Sequence, residues 1–314
     1  LHEHPVGALL GIAAELAGLM QLMSSRPHHV AGNRADQHHR HDERVVAAKH
    51  ETRARLGELL PQLEALDALF RQLEKARDKR GAIDFETLET RMVFDDQGTR
   101  STFGLVQARK KLATGAHALT VLLEPENARG IAYLTADEAD GGPTEWLYVP
   151  YVQRTRKLVP AESYQSFMDT DFTFGDLGLL PVDTRNTMLG TETVDGKKAY
   201  KIESVPSTTV KQWYYSRTVT WIDAETLLPI RREFFSPAGD LFKVETFGAV
   251  TRIDGIPTPL EMRITNVGTN STTTLKVTSV SYDANVPDSL FDEKGLRTVA
   301  DADYWKTKPA KSGN

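Results

Sequence analysis

At 314 residues, the chain is long enough for one large or two ordinary domains with an ample core. Hydrophobic residues are 40% and charged residues 26% of it, the balance of a soluble globular protein. A net charge of −5 gives no bulk electrostatic case for nucleic acid. The lack of cysteine excludes disulfides, thiol catalysis and cysteine-ligated zinc.

The first fifty residues differ from the rest. Stretch 6–23 is apolar with partly helical spacing (Leu9, Ile12, Leu16, Leu19, Met20, Met23). Glu15 interrupts it, and no Lys or Arg precedes it, so it makes a poor membrane span and a poor signal peptide. The expectation is a mature form whose export signal has been removed, or a start that lies upstream. A polar run, 24–44, follows and holds five histidines. A metal site is one reading of it. A solvated flexible arm is the reading preferred here, because no core is at hand to fix ligand geometry. Residues 53–79 form a second helical region, with one apolar stripe through Leu56, Leu59, Leu60, Leu63, Leu66, Leu69, Phe70 and Leu73. Pro61 kinks it or opens it.

The segment FRQLEKARDKRGAIDFETLETRMVFDDQG (70–98) is similar to part of the ribonuclease II/R exoribonuclease family. There the same kind of helix runs into an RGAIDFE strand. That family's metal-binding aspartates lie elsewhere in its chain and have no counterpart here, so no catalytic residue is carried over.

From Glu86 the pattern turns to β. Short runs at 91–94, 101–107, 118–123 and 130–134 are separated by Asp96-Gln97-Gly98 and Thr114-Gly115 turns. Later hairpins are clearer. Tyr200 and Ile202 alternate with Lys201 and Glu203; 211–222, 230–235, 241–247, 260–265 and 275–282 follow, with Pro237-Ala238-Gly239-Asp240 and Asp254-Gly255 turns between. Antiparallel strands at this spacing predict a large curled sheet. A frayed tail is expected at 306–314.

The chain is organised around 146–177. A short aromatic strand holding Trp146 and Tyr148 stops at Pro150, and a basic run holding Arg154, Arg156 and Lys157 stops near Pro160. Then SFMDTDFTFGDL places Phe167, Met168, Phe172 and Phe174 on a segment too broken by Asp, Thr and Gly for a long helix or strand. The motifs EWLYVP, RTRKL and SFMDTDFTFGDL, then DGKKAYKIESVP, WIDAETLLPIRREFF, GIPTPLEMRITN and SLFDEKGL, in that order over about 89–296, resemble the outer-membrane lipoprotein-sorting family, the Lol-type periplasmic carriers.

The resemblance implies an α+β fold, mainly antiparallel β. Its centre is a half-open curled barrel over 85–305 with helices covering the concave face, preceded by a helical, His-rich region over 1–84. It implies a periplasmic carrier without cofactor, metal or nucleic acid, which binds lipoprotein acyl chains or other lipids. An inner-membrane exporter and an outer-membrane acceptor would be its partners. Trp146, Tyr148, Phe167, Met168, Phe172 and Phe174 are the candidate cavity mouth; plugging the core is the alternative role for the Met and Phe residues. Arg154, Arg156 and Lys157 are candidates for head-group binding, or simply the charged face of an edge strand. No Gly-x-Ser-x-Gly elbow, Walker loop, dinucleotide fingerprint or His-Glu-x-x-His is present. Only His117 could serve a triad in the β region, and a lone strand histidine reads as structural. Asp169 with Asp171, and Asp95 with Asp96, sit beside turn residues and read as turn formers. Two other readings stay open: a protein-interaction module of an envelope transport complex, and an exoribonuclease-related protein.

Overall fold

A computed structural model describes residues 85–138, 142–177, 184–207, 214–282, 286–299 and Trp305, with positions 68, 71 and 72 of the stretch before. The histidine run, the apolar stretch 6–23, Pro61 and the tail 306–314 lie outside the described residues. The chain divides into two compact units, Leu1–Lys75 with Arg185–Met188, and Ala76–Thr184 with Leu189–Asn314. The second contains all but four residues of the sheet.

Thirteen strands form that sheet. The first six are β1 (Phe85–Asp96), β2 (Thr99–Leu112), β3 (Gly115–Glu124), β4 (Ala132–Glu138), β5 (Gly142–Val149) and β6 (Arg154–Lys157). The rest are β7 (Thr184–Val194), β8 (Lys197–Pro206), β9 (Arg217–Asp223), β10 (Pro229–Phe235), β11 (Leu241–Ile253), β12 (Ile256–Asn266) and β13 (Thr272–Tyr282). Their spatial order is 6-5-4-3-2-1-13-12-11-10-9-8-7, which puts β6 and β7 at the two ends of the sheet among the described residues. The chain thus walks outward from β1 to one edge, crosses to the other edge, and walks back until β13 closes on β1.

The tight turns come from sequence. Gln97 and Gly98 both take positive φ, as do Asp195 with Gly196 and Asp254 with Gly255. Two successive positive φ values give the hairpin turn whose twist matches its strands, which is why Asp-Gly recurs at these reversals.

The described part of the crossover, 158–177, belongs to the stretch 146–177 around which the sequence was read. It holds a 3-10 turn (Pro160–Tyr164), one bridge (Ser166 to Thr173) and a single helical turn, α1 (Phe174–Leu177). That turn shows that the sheet curls. Phe174 lies 5.2 Å from the ring of Tyr133 on β4, and Asp176 pairs with Lys243 on β11 at 3.1 Å. On a flat sheet the six steps from β4 to β11 span about 29 Å. Side chains standing perpendicular to a sheet and one turn of helix do not reach that far. The face under the crossover is therefore the inner face of an open, curled sheet.

Alternation sorts the core. Met92, Phe103, Leu105, Leu122, Tyr133, Leu147, Ile264 and Leu275 point inward and pack with Leu158, Phe167 and Phe172 of the crossover. Their neighbours Val106, Ala108, Leu119, Val121, Leu134 and Tyr148 point outward and are covered by Val286, Leu290, Phe291, Leu296, Val299 and Trp305. Strands β2 to β5 are thus buried on both sides. The second cover includes α2 (Gly295–Val299). The expectation of helices over the concave face is met only in part: among the described residues the cover is the crossover, with its two short helical turns.

Candidate functional site

The crossover is fastened to the inner face by a buried polar network. The Asp171 carboxylate accepts hydrogen bonds from Ser271 Oγ at 2.6 Å and Thr273 Oγ1 at 2.8 Å, while its own N–H donates to Thr273 Oγ1 at 2.9 Å. Lys243 Nζ donates to the Asp171 carbonyl at 2.7 Å and to Asp176 Oδ2 at 3.1 Å. Tyr215 OH donates to Asp176 Oδ1 at 3.0 Å. Burial and the Asp176 charge raise the Tyr215 pKa well above its ordinary value, so it serves as a donor throughout. Beside them Arg232 donates to Glu245 Oε2 at 3.0 Å. Glu245 is buried so deeply that its pKa is pushed up to about 7, and Arg232 offsets only part of that shift.

Within this frame the aromatic residues do the covering. Phe167 and Phe172 are 1% and 2% exposed, and Phe167 meets Phe174 edge to face at 5.3 Å. Met168, Phe174 and Leu177 pack at the margin of the same cluster. Full burial of a phenylalanine is worth about 2–3 kcal/mol. Asp171 and Asp176, at the turns between these residues, are therefore anchors of an apolar cover. Met168 and Asp169, with φ of 53° and 59°, make the turn that points Phe167 and Phe172 the same way.

Phe167, Met168, Phe172 and Phe174 are thus brought together on the inner face. Trp146 and Tyr148 are not. They alternate with the inward Leu147 and pack in the outer cluster, where Tyr148 is 8% exposed. Arg154, Arg156 and Lys157 form the edge strand β6. Arg156 pairs with Glu162 at 2.7 Å, and Lys157 Nζ lies 5.8 Å from the Trp146 ring. Val159 N–H and Arg156 together hold the Glu162 carboxyl below its usual range.

His117 is structural. Its Nδ1 lies 3.0 Å from the Phe291 carbonyl and its Nε2 3.0 Å from Thr114 Oγ1, which ties β3 to the outer cover. Asp95 forms a turn, as expected, accepting from Gly98 N–H and from Arg100. Among the described residues no group of three His, Asp or Glu could hold a metal ion, and no helix is long and apolar enough to cross a membrane.

Among the described residues, clefts on the surface include two whose linings are defined. One, of 390 Å³, is lined by Val93, Asp95, Arg100 and Arg263 among others. The other, of 320 Å³, lies between Arg154 and Thr155 of β6 and Glu293, Lys294 and Arg297. Neither is lined by the inner apolar cluster. That face is occupied by the protein's own Phe167 and Phe172.

Sequence reasoning missed Lys243, Glu245 and Arg232. Lys243 and Glu245 flank Val244 as charges do on a half-exposed strand, and Arg232 lies between Arg231 and Glu233, so nothing local marks them as buried. The available signal was a register in which they share the face of Phe234 and Ile264.

A family model described as "-like: Uncharacterized protein" matches residues 115–298, more than half of the chain. The chain belongs to that family. Its fold is the lipoprotein-sorting fold. A domain from Vibrio parahaemolyticus, described as an outer membrane lipoprotein-sorting protein domain, superposes with a TM-score of 0.66 at 23% identity, over 72% of this chain and 97% of that one. A DUF1329 family protein from Desulfovibrio piger gives 0.68 at 24%, over 73% and 98%. A LolA superfamily protein from Nitrosomonas europaea gives 0.58 at 17%, over 71% and 96%. In sequence, 53 residues are 43% identical to ribonuclease R of Vibrio cholerae, which is 17% of this chain but 6% of the ribonuclease. This match is short and partial. The lipoprotein-sorting fold, by contrast, covers 71–73% of the chain in these superpositions and matches the family resemblance read from 89–296.

Proposed function

We propose that this chain is a non-enzymatic periplasmic carrier, which holds an acyl chain of a lipoprotein or another lipid against the inner face of its sheet, beneath the crossover. The observation that supports it most is the identity of the present occupant. Phe167 and Phe172 come from a segment with little regular structure of its own, and they sit on aliphatic side chains of an open sheet. An acyl chain entering there exchanges one hydrocarbon contact for another, and each buried CH₂ contributes about 0.8 kcal/mol without directional demands. Met168, Phe174 and Leu177, at the margin, would frame the entry; Met168 adapts to varied shapes. Transfer between two membranes then needs only differential affinity, with an inner-membrane exporter loading the chain and an outer-membrane acceptor relieving it.

Titration with a fluorescent long-chain fatty acid tests the reading. The expected result is saturable binding, with a blue-shifted probe displaced by unlabelled lipid. A probe that stays in water, together with no lipid in solvent extracts of the purified chain, would overturn it.

A further inference from the structure

The β5–β6 hairpin ends in a tip that the fold leaves bare. Pro150–Val152 is a single 3-10 turn, closed where Gln153 N–H donates to the Pro150 carbonyl at 2.9 Å, with Gln153 at a φ of 48°. The tip holds Tyr151 at 95% and Val152 at 59% exposure, and just beyond β6 Val159 is 58% exposed. Single exposed apolar residues are ordinary. Here an aromatic and an aliphatic side chain project together from one tip, and the buried clusters of the described residues include neither.

The surface beside the tip is basic. Register sets Arg154 opposite Val149 and Thr155 opposite Tyr148, at the tip end of β6. Both line the 320 Å³ cleft, and across it stand Glu293, Lys294 and Arg297, so the lining carries three cations against one carboxylate. Arg154, Lys294 and Arg297 are all exposed. Segments 150–162 and 292–297 together hold five cations and three carboxylates, in a chain whose net charge is −5. One of those carboxylates, Glu162, is taken up by Arg156. Another, Asp292, accepts from Gly295 N–H at the start of α2. The β3–β4 turn runs alongside, since Ala132 at its end pairs with Tyr148, and its Glu126 and Arg129 pair at 2.8 Å.

An apolar tip flanked by cations fits a bilayer better than a protein. A specific protein interface needs about 800 Å² on each side, with an apolar core. Two projecting side chains do not supply one. A bilayer asks for less. Tyrosine rests at the level of the head groups, with its ring toward the acyl boundary. Each Lys or Arg beside it adds about fivefold in affinity for an anionic surface.

We propose that the β5–β6 tip docks on the surface of an anionic bilayer, with Tyr151 and Val152 at the head-group boundary and the cleft of Arg154, Lys294 and Arg297 over the lipid phosphates. The inference goes beyond the carrier reading: it concerns where the chain lands, and it holds whatever the inner face carries.

The experiment is co-sedimentation of the full chain with vesicles of phosphatidylcholine alone, and of equal parts phosphatidylcholine and phosphatidylglycerol, at low and high salt. A Tyr151→Trp variant reports on the tip. The expected result is binding to the anionic vesicles that weakens with salt, together with a blue shift of the Tyr151→Trp emission beyond that of native chain and its quenching by brominated lipid. Tyr151→Ser combined with Val152→Ser should lower the affinity about tenfold, and Arg154→Gln combined with Arg297→Gln about 25-fold. Fatty-acid titration of the Tyr151→Ser, Val152→Ser variant should match native chain, which separates docking from cargo binding. A chain that binds fatty acid but no vesicle overturns the docking and leaves the carrier standing. Vesicle binding in which the Tyr151→Trp emission does not move belongs to another segment and overturns the docking too, as does equal binding to neutral and anionic vesicles. Vesicle binding through the tip by a chain that takes up no fatty acid overturns the carrier and leaves the docking standing.

Discussion

Removing the Asp176 carboxylate should loosen the crossover more than any other single polar change there. Asp176→Ala leaves the Lys243 ammonium, whose side chain is 3% exposed, with only the Asp171 carbonyl. Tyr215 OH and the Thr173 N–H lose their acceptor as well. An orphaned buried charge costs about 3–5 kcal/mol, and each unsatisfied donor adds about 1–3 kcal/mol where water does not reach it. The total is a large part of the stability of an ordinary domain. Lys243→Met is milder, because Asp176 keeps two donors; about 2–3 kcal/mol is expected. The pair reveals the mechanism. Combining Asp176→Ala with Lys243→Met removes both charges, and a buried pair replaced by apolar groups is often close to neutral. The double variant should therefore be more stable than Asp176→Ala alone by at least ~2 kcal/mol. Urea unfolding supplies the free energies, and amide exchange over 158–177 localises the effect. A loss below ~1 kcal/mol for Asp176→Ala, or a double variant as unstable as the sum of the singles, would refute the network as the crossover's fastening.

Three further outcomes follow from individual residues. Glu245 has its folded pKa raised from 4.5 to about 7, so the native state holds an extra proton between those values. Stability should fall as pH rises through that window, by up to ~3 kcal/mol; Glu245→Gln should flatten this slope in paired urea titrations, and an unchanged slope would contradict the assignment. Phe167→Ala should cost about 3–5 kcal/mol if the ring only fills the core. If the space accepts hydrocarbon, saturating fatty acid should restore more melting temperature to this variant than to native chain. Gly295→Ala should release the outer cover, because a Cβ there would stand 2.1 Å from the Ser289 carbonyl; overpacking of this kind costs about 1–3 kcal/mol, and a red-shifted Trp305 emission would report it.

Much of the sheet was legible because its signals are local. Asp254-Gly255 fixes a hairpin through backbone conformation alone, and the alternation at Leu260, Met262 and Ile264 fixes a face. Strand β7 was missed: in TRNTMLGTETV, Gly190 and scattered threonines blur the period of two. The irregular nature of SFMDTDFTFGDL was readable, because Asp, Thr and Gly break both periods. Its fastening was not, since Asp171 meets Ser271 and Thr273 about a hundred positions away, and only register brings them together. Trp146 and Tyr148 show the limit from the other side. Alternation put them on one face, but which face is inner depends on where the crossover lies. A clue to two-sided burial did exist, since 118–123 is apolar at nearly every position where one-sided strands alternate.

The central claim is that hydrocarbon from a lipid can take the place of the crossover's own rings. A photoactivatable fatty acid, with its reactive group at mid-chain, tests this most directly. After irradiation and peptide mapping, the expected adducts lie on the inner face, at Met92, Leu105, Leu122 or the 167–174 segment. Adducts confined to the outer cluster around Tyr148 and Phe291, or none above the level of unfolded chain, would contradict the account.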